Sequence, residues 1–322
     1  MANPMLTLMF ATTPLTRLLV PPHPPAASEF MARVLLSHVA LSAAFLQSPL
    51  QRPHTLRRTW RRITASSAAS SGADNAKLQR LSLERTADDK IAYTDDFRPM
   101  KLACEELVWV PHGRTPANER LIFQSHEEGP DGQLLPESLE EAEAGARQFF
   151  EEYGEMFARI PGKFTFVRSP LQRTADTAAV YHRVAVERFG PEIAFRVEPS
   201  VDDALIEIDH ASWHGKTAAE LEGVDANAAA YREGSFFAKP ANGGESNLDL
   251  MDRCYKWLDE VADKEHAGQV LVVFGHGTFQ NAAETLVCPP YVTPPVPAKI
   301  FTRKAGESHL KRGYPHKLYS LY

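Results

Sequence analysis

The sequence predicts a three-layer α/β/α sandwich around a mainly parallel sheet, and three observations carry that expectation. Runs of β-formers at residues 107–110 and 270–274 are apolar throughout, as strands covered on both faces are, and a third run of β-formers lies at 163–167. Helix-period segments separate them, the order expected of strand–helix–strand units. Two of the strands end abruptly at a histidine and a glycine, His112-Gly113 and His276-Gly277. Ligands of open α/β sheets collect at such carboxyl ends.

Taken in order, residues 1–73 read as a leader outside the fold. They hold seven Arg, no Lys and one acid (Glu29), a net of +6, and are rich in Ala, Ser, Thr, Leu and Pro. That is the profile of an organelle presequence. Residues 33–46 resemble the apolar core of a secretory signal, and the basic segment 52–62 a transit peptide behind it. The two steps together resemble the presequences of algal plastids bounded by extra membranes. A simple plastid or mitochondrial leader is the alternative, and a tail without an address the third reading. Residues 66–73 read as a flexible linker. Fused to a fluorescent protein, residues 1–73 are expected to direct it to an organelle, a plastid before a mitochondrion; a diffuse cytosolic signal would remove the targeting reading.

Residues 74–103 read as an extended lead-in, and the domain proper as 104–322. After the strand at 107–110, residues 137–153 form a helix with Leu139, Ala142, Ala146, Phe149 and Phe150 on one stripe and Gly154 as its stop. The strand at 163–167 leads into a helix over 171–189, closed by Gly190-Pro191. Residues 194–198 read as a short strand, 204–208 as a strand end carrying Glu207, and 216–222 as a short helix. Ser246, with Asp249 three residues on, caps a long helix whose apolar set is Met251, Cys254, Tyr255, Leu258, Val261 and Ala262. The strand at 270–274 precedes a last helix, a Pro-rich span at 288–297 and a basic, poorly patterned tail.

Composition excludes several functions. The 322 residues are 43% hydrophobic and 24% charged, enough apolar material for a sizeable core. Beyond the leader, 28 bases face 40 acids, a net of −12, so nucleic acid is not expected as a partner. No apolar run is long enough to span a bilayer. The three cysteines, Cys104, Cys254 and Cys288, form no CxxC pair and read as reduced thiols, not as metal ligands. Oligomeric state is not encoded in any pattern here.

Chemistry-bearing residues sit at four strand or loop ends: His112, Arg173, Glu207 and His276. Around them run five motifs in sequence: Pro111-His112-Gly113-Arg114-Thr115-Pro116-Ala117-Asn118; Ser169-Pro170-Leu171-Gln172-Arg173 with Thr177-Ala178; Glu207-Ile208-Asp209 with Trp213-His214-Gly215-Lys216-Thr217; Gly244-Glu245-Ser246; and His276-Gly277. In order and spacing this set resembles the histidine phosphatase, or phosphoglycerate mutase-like, superfamily over about residues 105–285. The resemblance implies His112 as the residue that takes up a phosphoryl group and Glu207 as proton donor to the leaving oxygen. It implies His276, Arg173 and Asn118 as phosphate ligands, with Arg114, Thr115 and Gly277 in the same loops. The substrate implied is a small phosphorylated metabolite. No metal or other cofactor is needed: a neutral imidazole can attack phosphorus, and fixed cations and N–H donors stabilise the spreading charge.

The chain departs from the family pattern at Pro111, where an arginine normally grips the phosphate. Proline offers neither charge nor donor. Arg114 and Arg168 are the nearby candidates to supply the missing guanidinium, Arg114 foremost. Two readings follow. One is a phosphomonoesterase working through phosphohistidine, preferred to a mutase-like phosphotransferase because the stretch between Glu207 and His276 is short. The other is a catalytically impaired relative with a binding or regulatory role.

Overall fold

The computed structural model describes residues 70–87, 89–262, 266–287 and 311–320. The leader up to residue 69 and the Pro-rich span with Cys288 lie outside the described residues. Helix α1 (Ser70–Arg80) starts inside the stretch expected to be linker, and a hairpin of β1 (Leu83–Arg85) and β2 (Ile91–Tyr93) follows it. The extended lead-in is therefore corrected to a helix and a hairpin that belong to the body. Leu78, Leu81, Leu83 and Ile91 are buried in the main core, and Lys77 and Arg80 pair with Asp249 and Asp252. Lys77's other neighbour, Asp74, is one turn away, so the helix's polar side is tied along its length.

Strand β3 (Glu106–Pro111) is followed by the single turn α2 (Pro116–Glu119) and then by α3 (Pro136–Arg159). Helix α3 runs past Gly154, the expected stop. Phe157 continues the buried face set by Ala142, Ala146, Phe149, Phe150 and Tyr153, and Pro161 supplies the break instead. Leu139, expected on that face, is largely exposed, and Ser138 takes the inward place. Strand β4 (Phe164–Arg168) leads into α4 (Gln172–Phe189), closed by Gly190 at φ +83°.

The expected strand at 194–198 is instead α5 (Pro191–Ala194) and a further helical turn, because Pro191 at a first-turn position favours helix over sheet. Only β5 (Ser200–Val201) pairs there, and Glu207 lies in irregular backbone after the turn Asp203–Leu205. Helices α6 (Ala218–Leu221) and α7 (Ala226–Arg232) precede α8 (Asn247–Trp257), whose Ser246–Asp249 capping box forms as expected. Strand β6 (Val270–Gly275), helix α9 (Gly277–Val287) and strand β7 (His316–Ser320) complete the order.

The main sheet runs β5-β4-β6-β3-β7, parallel except for β7, which pairs antiparallel to β3. The tail expected to be unpatterned thus supplies an edge strand. Side chains alternate across β3 and β6. Leu107, Trp109, Leu271 and Val273 face one core with α8 and α9; Val108, Val110, Val272 and Phe274 face the other with α3 and α4. These two layers of helices make the sandwich. Cys104 and Cys254 are buried, and no helix among the described residues is long and apolar enough to cross a membrane.

Candidate active site

Register brings the strand ends together. Pro111 pairs with Gly275 and Arg168 with Phe274, so His112, Ser169 and His276 leave three adjacent strands side by side. Two backbone bonds continue the ladder into the loops, His112 N–H to Gly275 O at 2.9 Å and Ser169 N–H to Phe274 O at 3.0 Å. Gly275 is required here: a Cβ would lie 2.4 Å from Cζ2 of Trp109, whose ring is fully buried beneath it.

The two imidazoles meet at a ring-centroid distance of 5.3 Å, both buried. Nδ1 of His112 is 2.7 Å from the Gly113 carbonyl, which can only accept, so Nδ1 carries the proton. Nε2 then holds the lone pair, and Nη1 of Arg312 donates to it across 3.2 Å. Burial, reinforced by the guanidinium groups of Arg312 and Arg173, holds the His112 pKa well below the ordinary histidine value. The ring is neutral at neutral pH and nucleophilic at Nε2.

Nε2 of His276 is 2.8 Å from the Ser169 hydroxyl, while its Nδ1 faces the cluster, 3.7 Å from Oε2 of Glu207 and without a hydrogen-bond partner. Burial, with Arg173 and His112 adding to it, keeps this ring neutral too. Arg173 extends from the first turn of α4, fully buried. One guanidinium nitrogen donates to Ser125 O at 3.2 Å, and its Nε and Nη1 have no partner. Thr177 fixes this turn by donating to Arg173 O and accepting from Gly113 N–H, which explains the second motif's threonine.

Glu207 is buried, and desolvation raises its pKa despite the pull of Arg173, the Ile208 N–H and Arg312. Its Oε1 accepts from Ile208 N–H at 2.9 Å. The loop around it is held from outside. Arg253 donates to Ala204 O and Ile206 O, His126 Nε2 lies 2.6 Å from Glu207 O, and Trp257 donates to Asp202. Arg253 is in turn paired with Glu245, which also accepts from Asp209 N–H. The Gly-Glu-Ser motif therefore serves the placement of Glu207 as well as the cap of α8.

The cluster thus assembles four of the expected residues, His112, Arg173, Glu207 and His276. Gly277 opens α9 directly behind His276, and a Cβ there would meet no protein atom within 4 Å. Thr115 and Asn118 form a reciprocal capping box on α2 instead of turning their bonds to the cluster. Arg114 is placed differently from expectation. Its guanidinium is held by Glu141 of α3 at 3.2 Å and by Glu119 of α2 at 3.3 Å. Arg168 donates to Ser169 O at 2.9 Å. The guanidinium beside His112 is Arg312, 200 residues away in sequence. The sequence offered only a basic Lys311-Arg312 pair as a signal for it.

Ligand atoms of His112, Glu207 and His276 lie within 4.8 Å of one another, a spacing a divalent cation could use. The buried Arg173 and the half-buried Arg312 beside them make the same space favour an anion. Sequence comparison agrees with that chemistry. A family model described as histidine phosphatase superfamily (branch 1) matches residues 107–287, more than half of the chain. The chain belongs to the histidine phosphatase superfamily.

Among solved structures, an α-ribazole phosphatase from Shigella flexneri is similar at 18% identity and a TM-score of 0.45, over 65% of this chain and 88% of that one. A mycobacterial glucosyl-3-phosphoglycerate phosphatase is similar at 24% identity and a TM-score of 0.42, over 59% and 87%. A phosphoserine phosphatase from Entamoeba histolytica, at 22% identity and 0.42, covers 56% and 78%. No curated protein matches the sequence. Arg312 lies beyond the segment matched by the superfamily model.

Proposed function

We propose that this histidine phosphatase-superfamily protein is a phosphomonoesterase for a small phosphorylated metabolite, working through a phosphohistidine at His112. The observation that carries the reading is a neutral, lone-pair-bearing Nε2 beside the guanidinium groups of Arg173 and Arg312 and a buried carboxyl. Nε2 attacks phosphorus as the ester P–O bond breaks, and Glu207 gives its proton to the departing alkoxide. The Gly113 carbonyl, bonded to Nδ1–H, stabilises the positive charge of the phosphorylated ring. In the second half, Glu207 carboxylate takes a proton from the attacking water, phosphate leaves, and both groups return to their starting states. Arg173, with two unpartnered N–H groups, and the Nδ1 side of His276 bind phosphoryl oxygens, whose charge spreads in the transition state.

The test is a panel of phosphomonoesters incubated with the full chain in the presence of a chelator, with and without a hydroxyl acceptor. Multiple turnovers of inorganic phosphate release are expected without acceptor. Transfer to acceptor with no release would make it a phosphotransferase, and absence of both would leave the binding role.

A further inference from the structure

We propose that Arg312, carried in by the C-terminal strand, is a phosphate-gripping residue that completes the oxyanion site with Arg173. The proposal rests on the phosphatase reading and adds to it a residue outside the segment that the superfamily model matches.

The placement is built, not incidental. Gly313 N–H donates to Pro111 O at 2.9 Å, and Gly313 O accepts from the Tyr181 hydroxyl at 2.9 Å, so the neighbour of Arg312 is pinned between β3 and α4. Gly313 has φ +77°, and a Cβ on it would lie 2.9 Å from the Ala142 backbone. From the other side, a Cβ on Gly145 would lie 2.2 Å from Gly313 O. Two glycines therefore let the tail press against α3, and β7 continues it along β3.

What the guanidinium does there follows from its surroundings. Among the described residues its one hydrogen bond is to Nε2 of His112, the lone pair that must meet phosphorus. No carboxylate lies within ion-pair distance of it; Glu207 acts on it only at longer range. Burial weakens its hold on the proton, with a pKa pulled down to about 10, yet leaves it charged at neutral pH. A partly desolvated cation with no counterion among the described residues is costly, and a tetrahedral oxyanion arriving at Nε2 supplies that counterion. The planar fork can then leave Nε2 and engage two oxygens of the phosphoryl group. Together, Arg173 and Arg312 put two positive charges on the dianion from chain segments 139 residues apart, by the difference of their numbers.

Isothermal titration of the full chain with inorganic phosphate and with orthovanadate tests this in wild type, Arg312→Gln, Arg312→Lys, Arg114→Ala and, as a distant control, Arg147→Ala. Arg312→Gln is expected to weaken binding about ten- to a few hundredfold, the loss of one charge-assisted contact. Arg312→Lys should recover part of that, having the charge without the fork. Arg114→Ala should cost less than Arg312→Gln. Histidine NMR should also show His112 protonating at higher pH in Arg312→Gln, a change that a tail anchor would not produce. Wild-type binding retained within about twofold in Arg312→Gln, or a larger loss in Arg114→Ala, overturns the proposal and leaves the phosphatase reading intact. So does a lower melting temperature with unchanged affinity. A wild type that binds neither oxyanion overturns both.

Discussion

Replacing His112 by asparagine is expected to abolish phosphoryl uptake and lower kcat by at least about four orders of magnitude, the scale seen when a covalent nucleophile is removed. Asparagine is of similar size and keeps polar atoms but has no lone pair able to form a stable phosphoramidate bond. Arg173 and Arg312 remain, so affinity for inorganic phosphate should change by only a fewfold; the loss is in chemistry, not binding. The measurement is acid-quench labelling with a radioactive phosphomonoester. Wild type should carry one acid-labile, base-stable phosphoryl group, absent from His112→Asn. Label that persists in the variant, or maps to His276, would reverse the roles of the two histidines. His276 differs in one respect that favours the present assignment: the Gly113 carbonyl fixes the proton of His112 on Nδ1 and so the lone pair on Nε2, whereas the partner of His276, the Ser169 hydroxyl, can donate or accept.

Glu207→Gln should separate substrates by leaving group. An alkyl phosphate needs a proton on its departing oxygen and is expected to lose about 10²–10⁴ in kcat/KM, whereas an aryl phosphate with a stable phenolate should lose far less. The pH dependence follows from the shifts in the site. His112 must be neutral, and its pKa is held well below the ordinary histidine value, so activity persists into mildly acidic solution. Glu207 must be protonated; its pKa is raised, so the acid is present below that pKa and lost as pH rises through it. The ratio of alkyl to aryl kcat/KM cancels the contribution of His112 and should fall with rising pH in wild type. In Glu207→Gln the ratio should be low and flat. A wild-type ratio independent of pH would remove Glu207 as the acid.

Much of this site is legible in the chain. Residues 107–110 and 270–274 are apolar throughout, and that continuity marks central parallel strands; the His-Gly pairs at their ends then face the same edge of the sheet. Arg173 joins them because it lies in the first turn of the helix that follows β4, whose end lies beside that of β6. The Ser246–Asp249 cap was also readable, since a capping box is complete within four residues. Other elements were not. Glu207 was expected on a strand, yet Pro191 and the Asp202 cap turn the chain into helical turns and loop, with Arg253 and Trp257 holding it from α8. Helix α1 and its hairpin are short and polar on one side, and their burial comes from a core that only the folded body provides.

The guanidinium beside His112 separates what is local in the chain from what is not. The sequence by itself determined the sandwich, its two central strands and the histidines at their ends, because periodicity and loop motifs are properties of neighbouring residues. It also determined that the first loop lacks its arginine. Only the tertiary structure places a guanidinium beside His112, that of Arg312. Arg114, three residues from Pro111, is drawn off by Glu141 and Glu119, while Arg312 is delivered by an antiparallel edge strand and two glycine contacts. A contact across 200 residues depends on register and close packing, and neither leaves a local pattern in the chain.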